Sequence, residues 1–554
     1  MRVEFATAAA TPGPTELVAR SERRIRLDRF DLALVALFGT LSLWVLGLDL
    51  WQVVVHGRVW TGTDGVYIVD QLQYLSWIRE ASRHVLVSNL FVLRSSPADY
   101  FQPAVVISGA LSALGVAPWL SLLLWKPVAV AGCFFAMRQY VRRSIPGLWP
   151  RRAALTLALF FGSVTVLFGA VTVLGDLFPV FLSWGYTFAL LALAAVIAAL
   201  VAYDRARLES RIAWAPGVLG ALASLLHPWH GELMILIVVA AELVLWRGRR
   251  VTRRHLELAT VTVLATAAPL LYYAILGRVD LSWQLARVAS RHAFPLWTVL
   301  LYLLPLIVPA ALGYRGRSRG FLDAATRCWP LAALALFELS ATALSATPLH
   351  AFQGITLPLA VLAVQGINRI GFGRLAHRRR IAVLAVAAAT IPGTIGELRT
   401  AASLATPTPN NANFITADEA RALNYLAHDP QPGGVLTRSY LGAVVPEKTG
   451  RQTLIGDCLW SEPNCYARTD AAQSLFDGSL GPRAARSLVR ESGARFVLSD
   501  CQTTADLSRT LGRLVISTHR FGCASVYELD APGTPRGPLT ELPGHAAVRA
   551  PRRQ

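Results

Sequence analysis

Long apolar runs separated by short basic patches set the pattern of this chain. Runs of about twenty residues, the length that spans a bilayer, fall at 31–55, 117–138, 153–174, 179–203, 212–229, 231–247, 256–276, 295–314, 325–346, 351–368 and 380–396. They predict about 11 transmembrane helices, with a further short apolar helix at 103–115. Arginine groups lie at 20–29, 138–152, 205–211, 247–254, 315–319 and 374–380. All fall on one side of the membrane if the N-terminus is cytoplasmic, as the positive-inside rule requires. An odd number of spans then leaves the C-terminus outside. Residues 1–30 have no apolar core or small-residue cleavage site and read as a cytoplasmic tail.

The first long connection, 57–116, carries TGTDGVYIVDQLQYLSWIREASRH. Asp70 opens a helical pattern with Leu72, Leu75 and Ile78 on one side and Gln73, Ser76 and Glu80 on another. The spacing predicts an amphipathic helix lying on the membrane surface. After the last span, LATPTPNNANF marks a linker within 397–414, and hydropathy drops. Thr416 is placed to cap a helix bearing Asp418 and Glu419 in its first turn. Helical stretches near 470–492 and 503–513 alternate with strand-like ARFVL and ASVYEL, predicting a small extracytoplasmic α/β domain over 415–531. Residues 532–554, rich in Pro and Arg, read as a disordered tail. The fold class is therefore mostly α: a polytopic membrane helical bundle, residues 31–396, with a small α/β domain behind it.

Composition agrees with a membrane protein. Of 554 residues 54% are hydrophobic and 16% charged, against about 25% charged in soluble proteins; mean hydropathy is +0.45. The net charge of +19 is spread over loop clusters and forms no nucleic-acid-binding stripe. Cys458, Cys465, Cys501 and Cys523 all lie in the C-terminal domain, an even number on an oxidising face. The preferred pairing is Cys458 with Cys465 and Cys501 with Cys523, although three pairings are open; metal binding is disfavoured because CxxC spacing is absent.

Ionisable groups at membrane depth need a reason to be there. Asp64 and Asp70 sit where water reaches the end of the first span, and either caps a loop or acts as a base. Tyr74 and Trp77 lie within two turns of Asp70 and suit stacking on a sugar ring or prenyl chain. In SLLHPWHGELMIL, Pro228 and Gly231 break a helix and bring His227, His230 and Glu232 to the outer surface. Three roles are open to them: a polar turn, a metal site, or contacts to sugar hydroxyls or phosphate. Arg278, Arg287, Arg291 and His292 are basic on the outer side, where guanidinium groups suit a lipid phosphate or pyrophosphate or anionic headgroups. Lys126, inside the second span, calls for snorkelling or an acidic partner such as Asp99. His350, Gln353, Asp176, Trp184 and Tyr186 reach the same outer cavity.

The layout resembles the polytopic GT-C glycosyltransferase superfamily: one span, an outer loop carrying DQLQYLSWI, FQPAVVISGALSALG, the LHPWHGE break, HAFQGITLPLAVLAVQG, and an outer domain containing VVPEKTGRQTLIGD. The resemblance implies a bacterial, multi-pass cell-membrane glycosyltransferase, hexosyl or pentosyl. It would use a polyprenyl-phosphate-sugar donor and an envelope glycan, lipid or protein acceptor, and act with inversion. It places the general base on Asp70, with Asp64 second. Where relatives show two adjacent acidic residues, Gln71 follows Asp70 here; an Arg near the tenth span is replaced by His350 or Gln353. Metal independence is expected, with a divalent cation left open. The competing expectations are a transporter or flippase of lipid-linked sugars, which predicts two related halves, and a non-catalytic membrane subunit binding cell-wall polymer. No internal repeat is found.

Overall fold

The computed structural model describes residues 27–162, 177–248, 250–290, 295–315, 318–340, 348–369 and 376–530. The expected N-terminal tail, but for its last residues, and the 532–554 tail lie outside the described residues. So do Asp176, Arg291 and His292.

Six helices are long and apolar enough to cross a membrane: Pro118–Ser144, Thr187–Leu208, Pro228–Arg247, Arg253–Val279, Leu296–Gly313 and His377–Leu404. Arg29–Ser42 and Trp44–His56 form a pair bent by 45° that would make a seventh. The protein is therefore a multi-pass membrane protein, but about eleven spans are not confirmed. The apolar runs expected at 212–229 and 351–368 correspond to the shorter helices Ala215–Leu226 and Thr356–Arg369, and the described part of the run at 153–174 lies in Leu148–Phe160 and the two residues after it. Phe321–Ser340 is long enough, yet carries Asp323, Arg327 and Glu338. The last apolar helix runs on to Leu404, into the stretch read as linker.

Thr187–Leu208 forms the centre of the bundle and is buried nearly all round, as expected of a helix apolar on every face. Leu296–Gly313 and Thr356–Arg369 approach so closely that a Cβ on Gly313 would meet the backbone of Leu362, and one on Gly366 the carbonyl of Pro309. Small residues permit such packing where lipid offers no competing hydrophobic drive.

Among the described residues, arginines of the 138–152, 205–211 and 247–254 groups bind across to neighbouring segments. Arg138 pairs with Asp31 at 2.6 Å, Arg152 with Asp28 at 2.8 Å and Arg143 with Asp204 at 3.0 Å. Arg207 binds Glu242 at 2.7 Å and the Arg250 carbonyl at 2.8 Å, and Arg250 in turn the Ser318 carbonyl at 2.7 Å. These bonds join loops that charge alternation had assigned to one side.

The C-terminal domain follows the last apolar helix. Its sheet has the order β3-β4-β6-β5, with β3 Val435–Leu436, β4 Phe496–Ser499, β5 Val515–Phe521 and β6 Ala524–Leu529. β3 and β4 are parallel and the other pairs antiparallel. Thr416 caps Ala417–His428 as expected: its hydroxyl accepts from Glu419 N at 3.1 Å, and Glu419 accepts from Thr416 N at 2.8 Å. Cys458 is bonded to Cys465 and Cys501 to Cys523. The domain is joined to the first long loop by β1 (Val59–Trp60) pairing antiparallel with β2 (Phe414–Ile415). Helix Ser439–Thr449 also packs on the Asp70 helix, Ile68–Ala81.

Candidate active site

The loop 61–67 leads into the Asp70 helix through three residues of positive φ: Gly62 at 102°, Gly65 at 91° and Tyr67 at 59°. Asp70 lies half-buried in the first turn, where the partial positive charge of the helix N-terminus favours a carboxylate. The helix is buried on more than its apolar side: Gln71, Gln73 and Ser76 are covered along with Leu72, Leu75 and Ile78. The expectation of a helix resting on the membrane surface is thereby corrected, because the C-terminal domain lies over the face that would meet water.

Gln71 has a defined task. Its Oε1 accepts from Asp64 N at 2.8 Å, and its Nε2 donates to the carbonyls of Asp64 at 3.0 Å and Val66 at 2.8 Å. An acidic residue at this position would lack those two donors.

Asp64 is 2% exposed and forms an ion pair with Lys126. Lys126 also donates to the carbonyls of Ser42, at 2.9 Å, and Ser183, so all three ammonium protons have acceptors. Its partner is Asp64, correcting the expectation of Asp99. Burial pushes the Asp64 carboxyl up from its usual range, against the pull of Lys126. The structure thus gives the two aspartates of the loop different settings: Asp64 inside an ion pair, Asp70 at a helix start.

The segment 177–186 closes the other side of the loop. Val66 N donates to the Trp184 carbonyl at 3.0 Å, and Gly185, with φ 109°, lies against the Val66 carbonyl and Gln71 so closely that a Cβ would overlap both. A cleft here is lined by Asp64, Gln71, Tyr74, Leu122 and residues 185–189.

Tyr186, following Gly185, links the loop to the histidines. Its ring centroid is 4.8 Å from that of Tyr67 and 5.7 Å from those of His227 and His350. The His227 and His350 rings are 4.8 Å apart, and Trp229 lies 4.6 Å from His350. His227 sits between Ala215–Leu226 and Pro228–Arg247, where Pro228 forces an extended residue before it. His227 Nδ1 and His230 Nδ1 are 2.9 Å apart, and the Nε2 atom of each is buried without a hydrogen-bond partner. A buried imidazole nitrogen without a partner is costly, and a bound phosphate or hydroxyl oxygen would satisfy it.

The structure therefore brings His227, His230 and His350 together, with Tyr67 beside the Asp70 turn. Gln353 is fully buried just beyond His350, and Glu232 is half-buried one turn into the following helix. Tyr74 packs edge-on to Phe188 at 5.0 Å and Trp77 at 5.6 Å. Trp77, 5% exposed, is enclosed by Tyr100 and Trp460 and donates to the Ser88 carbonyl at 3.0 Å. Arg287 is exposed on Leu281–Ala289, as is Arg278 at the end of the preceding helix. Among the described residues one group of three potential metal ligands converges, Asp418, Cys501 and Cys523, and its two cysteines are in a disulfide.

Tyr67, the Gln71 clamp and Asn413 are not among the site residues that the sequence singles out. Gly-Val-Tyr before Asp70 carried a signal, since a glycine next to a helix start marks an unusual backbone turn. No comparable signal marked Asn413.

In fold, this arrangement of bundle, long first loop and capping domain is similar to solved glycosyltransferases of the GT-C type. No family model and no curated protein matches the chain. Among solved structures it is similar to the oligosaccharyltransferase AglB from Archaeoglobus fulgidus, solved with an inhibitory peptide and a dolichol-phosphate. Identity is 13% and the TM-score 0.51 over 87% of this chain and 71% of AglB. It is also similar to the arabinofuranosyltransferase AftD from Mycobacteria, at 16% identity and a TM-score of 0.53. That match covers 91% of this chain and 42% of AftD, so this chain spans less than half of AftD.

Proposed function

We propose that the protein is an integral membrane glycosyltransferase that moves a sugar from a polyprenyl-phosphate donor to an envelope glycan, lipid or protein acceptor. The N-terminus is cytoplasmic, and the C-terminal domain and the site face outward. The observation that carries this reading is Asp70, half-buried at the start of its helix within a GT-C fold, with Tyr67 of the same turn reaching the histidine cluster through Tyr186.

In this reading Asp70 takes the proton from the acceptor hydroxyl as its oxygen attacks the anomeric carbon, and the donor phosphate leaves from the opposite face with inversion. General-base help of this kind is worth on the order of 10² to 10⁴ in rate. His227, His230 and His350 contact the phosphate or sugar hydroxyls, the unpartnered Nε2 atoms of the first two supplying the contacts. Asp64 holds the loop through Lys126 and leaves the base to Asp70.

The test is transfer of labelled sugar by purified protein in lipid nanodiscs, from a panel of pentosyl and hexosyl polyprenyl phosphates to envelope acceptors, with and without a chelator. Transfer with inverted linkage, persisting in chelator, is expected. Movement of intact donor between leaflets without transfer would replace this reading by a flippase.

A further inference from the structure

Asn413 stands at the end of the strap that leads from the last apolar helix into the C-terminal domain, and it is fully buried. Its side chain is used on both sides. Oδ1 accepts from the Trp60 indole at 3.0 Å and from the Thr63 hydroxyl, and Nδ2 donates to Asp49 Oδ1 at 2.7 Å. Its carbonyl accepts from Thr61 N at 3.0 Å and from the Thr61 hydroxyl at 3.0 Å. Every one of these partners belongs to the first span or to the loop that ends at Asp70.

The connection continues to the Asp70 turn through bonds already described. Thr61 and Thr63 precede Asp64, Gln71 binds Asp64 at both backbone atoms, and Gln71 adjoins Asp70. On the other side Asn413 passes directly into β2 and the helix capped by Thr416. The primary amide meets both demands at once: its oxygen is the acceptor for Trp60 and Thr63, and its nitrogen the donor for the Asp49 carboxyl.

We propose that Asn413 is a positioning residue: it ties the C-terminal domain to the loop 59–66, so that docking of the domain sets the place of the Asp70 turn. This rests on the reading of Asp70 as the base for its kinetic consequence, whereas the tether itself is read independently. Small side-chain changes at Asn413 then act at the reacting carboxylate without touching substrate.

The experiment compares wild type with Asn413→Ala and with Thr63→Val, which removes one donor while keeping the shape and serves if the first variant does not fold. Backbone hydrogen exchange over residues 59–81 is measured in nanodiscs, with transfer kinetics beside it. Exchange faster by about tenfold, confined to this stretch, with kcat lowered and donor KM unchanged, is expected. Exchange unchanged in both variants overturns the tether, whatever happens to kcat. Faster exchange in the variants, beside a wild type that transfers no sugar, upholds the tether and rejects the glycosyltransferase reading.

Discussion

Replacing Lys126 by methionine removes the cation from a site where its side chain is 4% and that of Asp64 2% exposed. The cost follows from what is left behind. Breaking a buried ion pair by deleting one partner costs about 3–5 kcal/mol, because the other charge stays buried and uncompensated. The Ser42 and Ser183 carbonyls that accept from Lys126 also lose a donor, at about 1 kcal/mol each. Adding Asp64→Asn to Lys126→Met removes the stranded charge and restores part of the loss. Denaturant midpoints in mixed micelles for the wild type, both single variants and the double variant complete the cycle. A Lys126→Met protein as stable as wild type, or a second substitution that deepens the loss, would refute the ion pair as the support of the loop.

Two further perturbations follow. Gly185→Ala places a Cβ into the Val66 carbonyl and Gln71 at a backbone of positive φ; a loss of about 2–4 kcal/mol in the same unfolding assay is expected, and normal stability would contradict the close approach. Asp457 in the C-terminal domain is 6% exposed, and burial raises its carboxyl to about 6. A raised carboxyl contributes stability that is full below the unfolded value and lost as pH rises through 6. Stability should therefore fall between about pH 4 and 6, and Asp457→Asn should flatten that fall. An unchanged pH profile in the variant would count against it.

How much of this could be read from the chain depends on the scale of the signal. The bundle and the capping domain follow from hydropathy, and the presence of disulfides from four cysteines placed in one domain, whereas three pairings stay open until the fold brings Cys458 to Cys465 and Cys501 to Cys523. The helix capped by Thr416 was legible because its capping box is local. Span number was not, because Ala215–Leu226 ends sooner than its apolar run and Thr356–Arg369 begins later than its own. β5, VISTHRF, was overlooked because it alternates between half-buried and exposed at the sheet edge, although its β-branched residues favour a strand.

At the site, Asp70 and the histidines were visible as polar interruptions of apolar sequence. Their assembly was not, since Tyr67, Tyr186, His227 and His350 come from four separate segments. The polarity of the Asp70 helix pointed to water, while in the folded chain a helix of the distant C-terminal domain, Ser439–Thr449, packs on it: Arg79 donates to the Glu447 carbonyl at 3.0 Å with a separation of 368 residues. Long-range covering of a polar face leaves no local periodicity to detect. Lys126 was expected to snorkel or to find an acid such as Asp99, and that the acid is Asp64 depended on the fold of the loop.

The central claim is tested most directly by the rate of labelled-sugar transfer in nanodiscs for Asp70→Asn beside wild type, at equal folded protein. With Asp70 as general base, wild type transfers sugar and the variant loses about 10²- to 10⁴-fold in kcat while still binding donor. A variant that transfers at the wild-type rate would remove Asp70 from the chemistry.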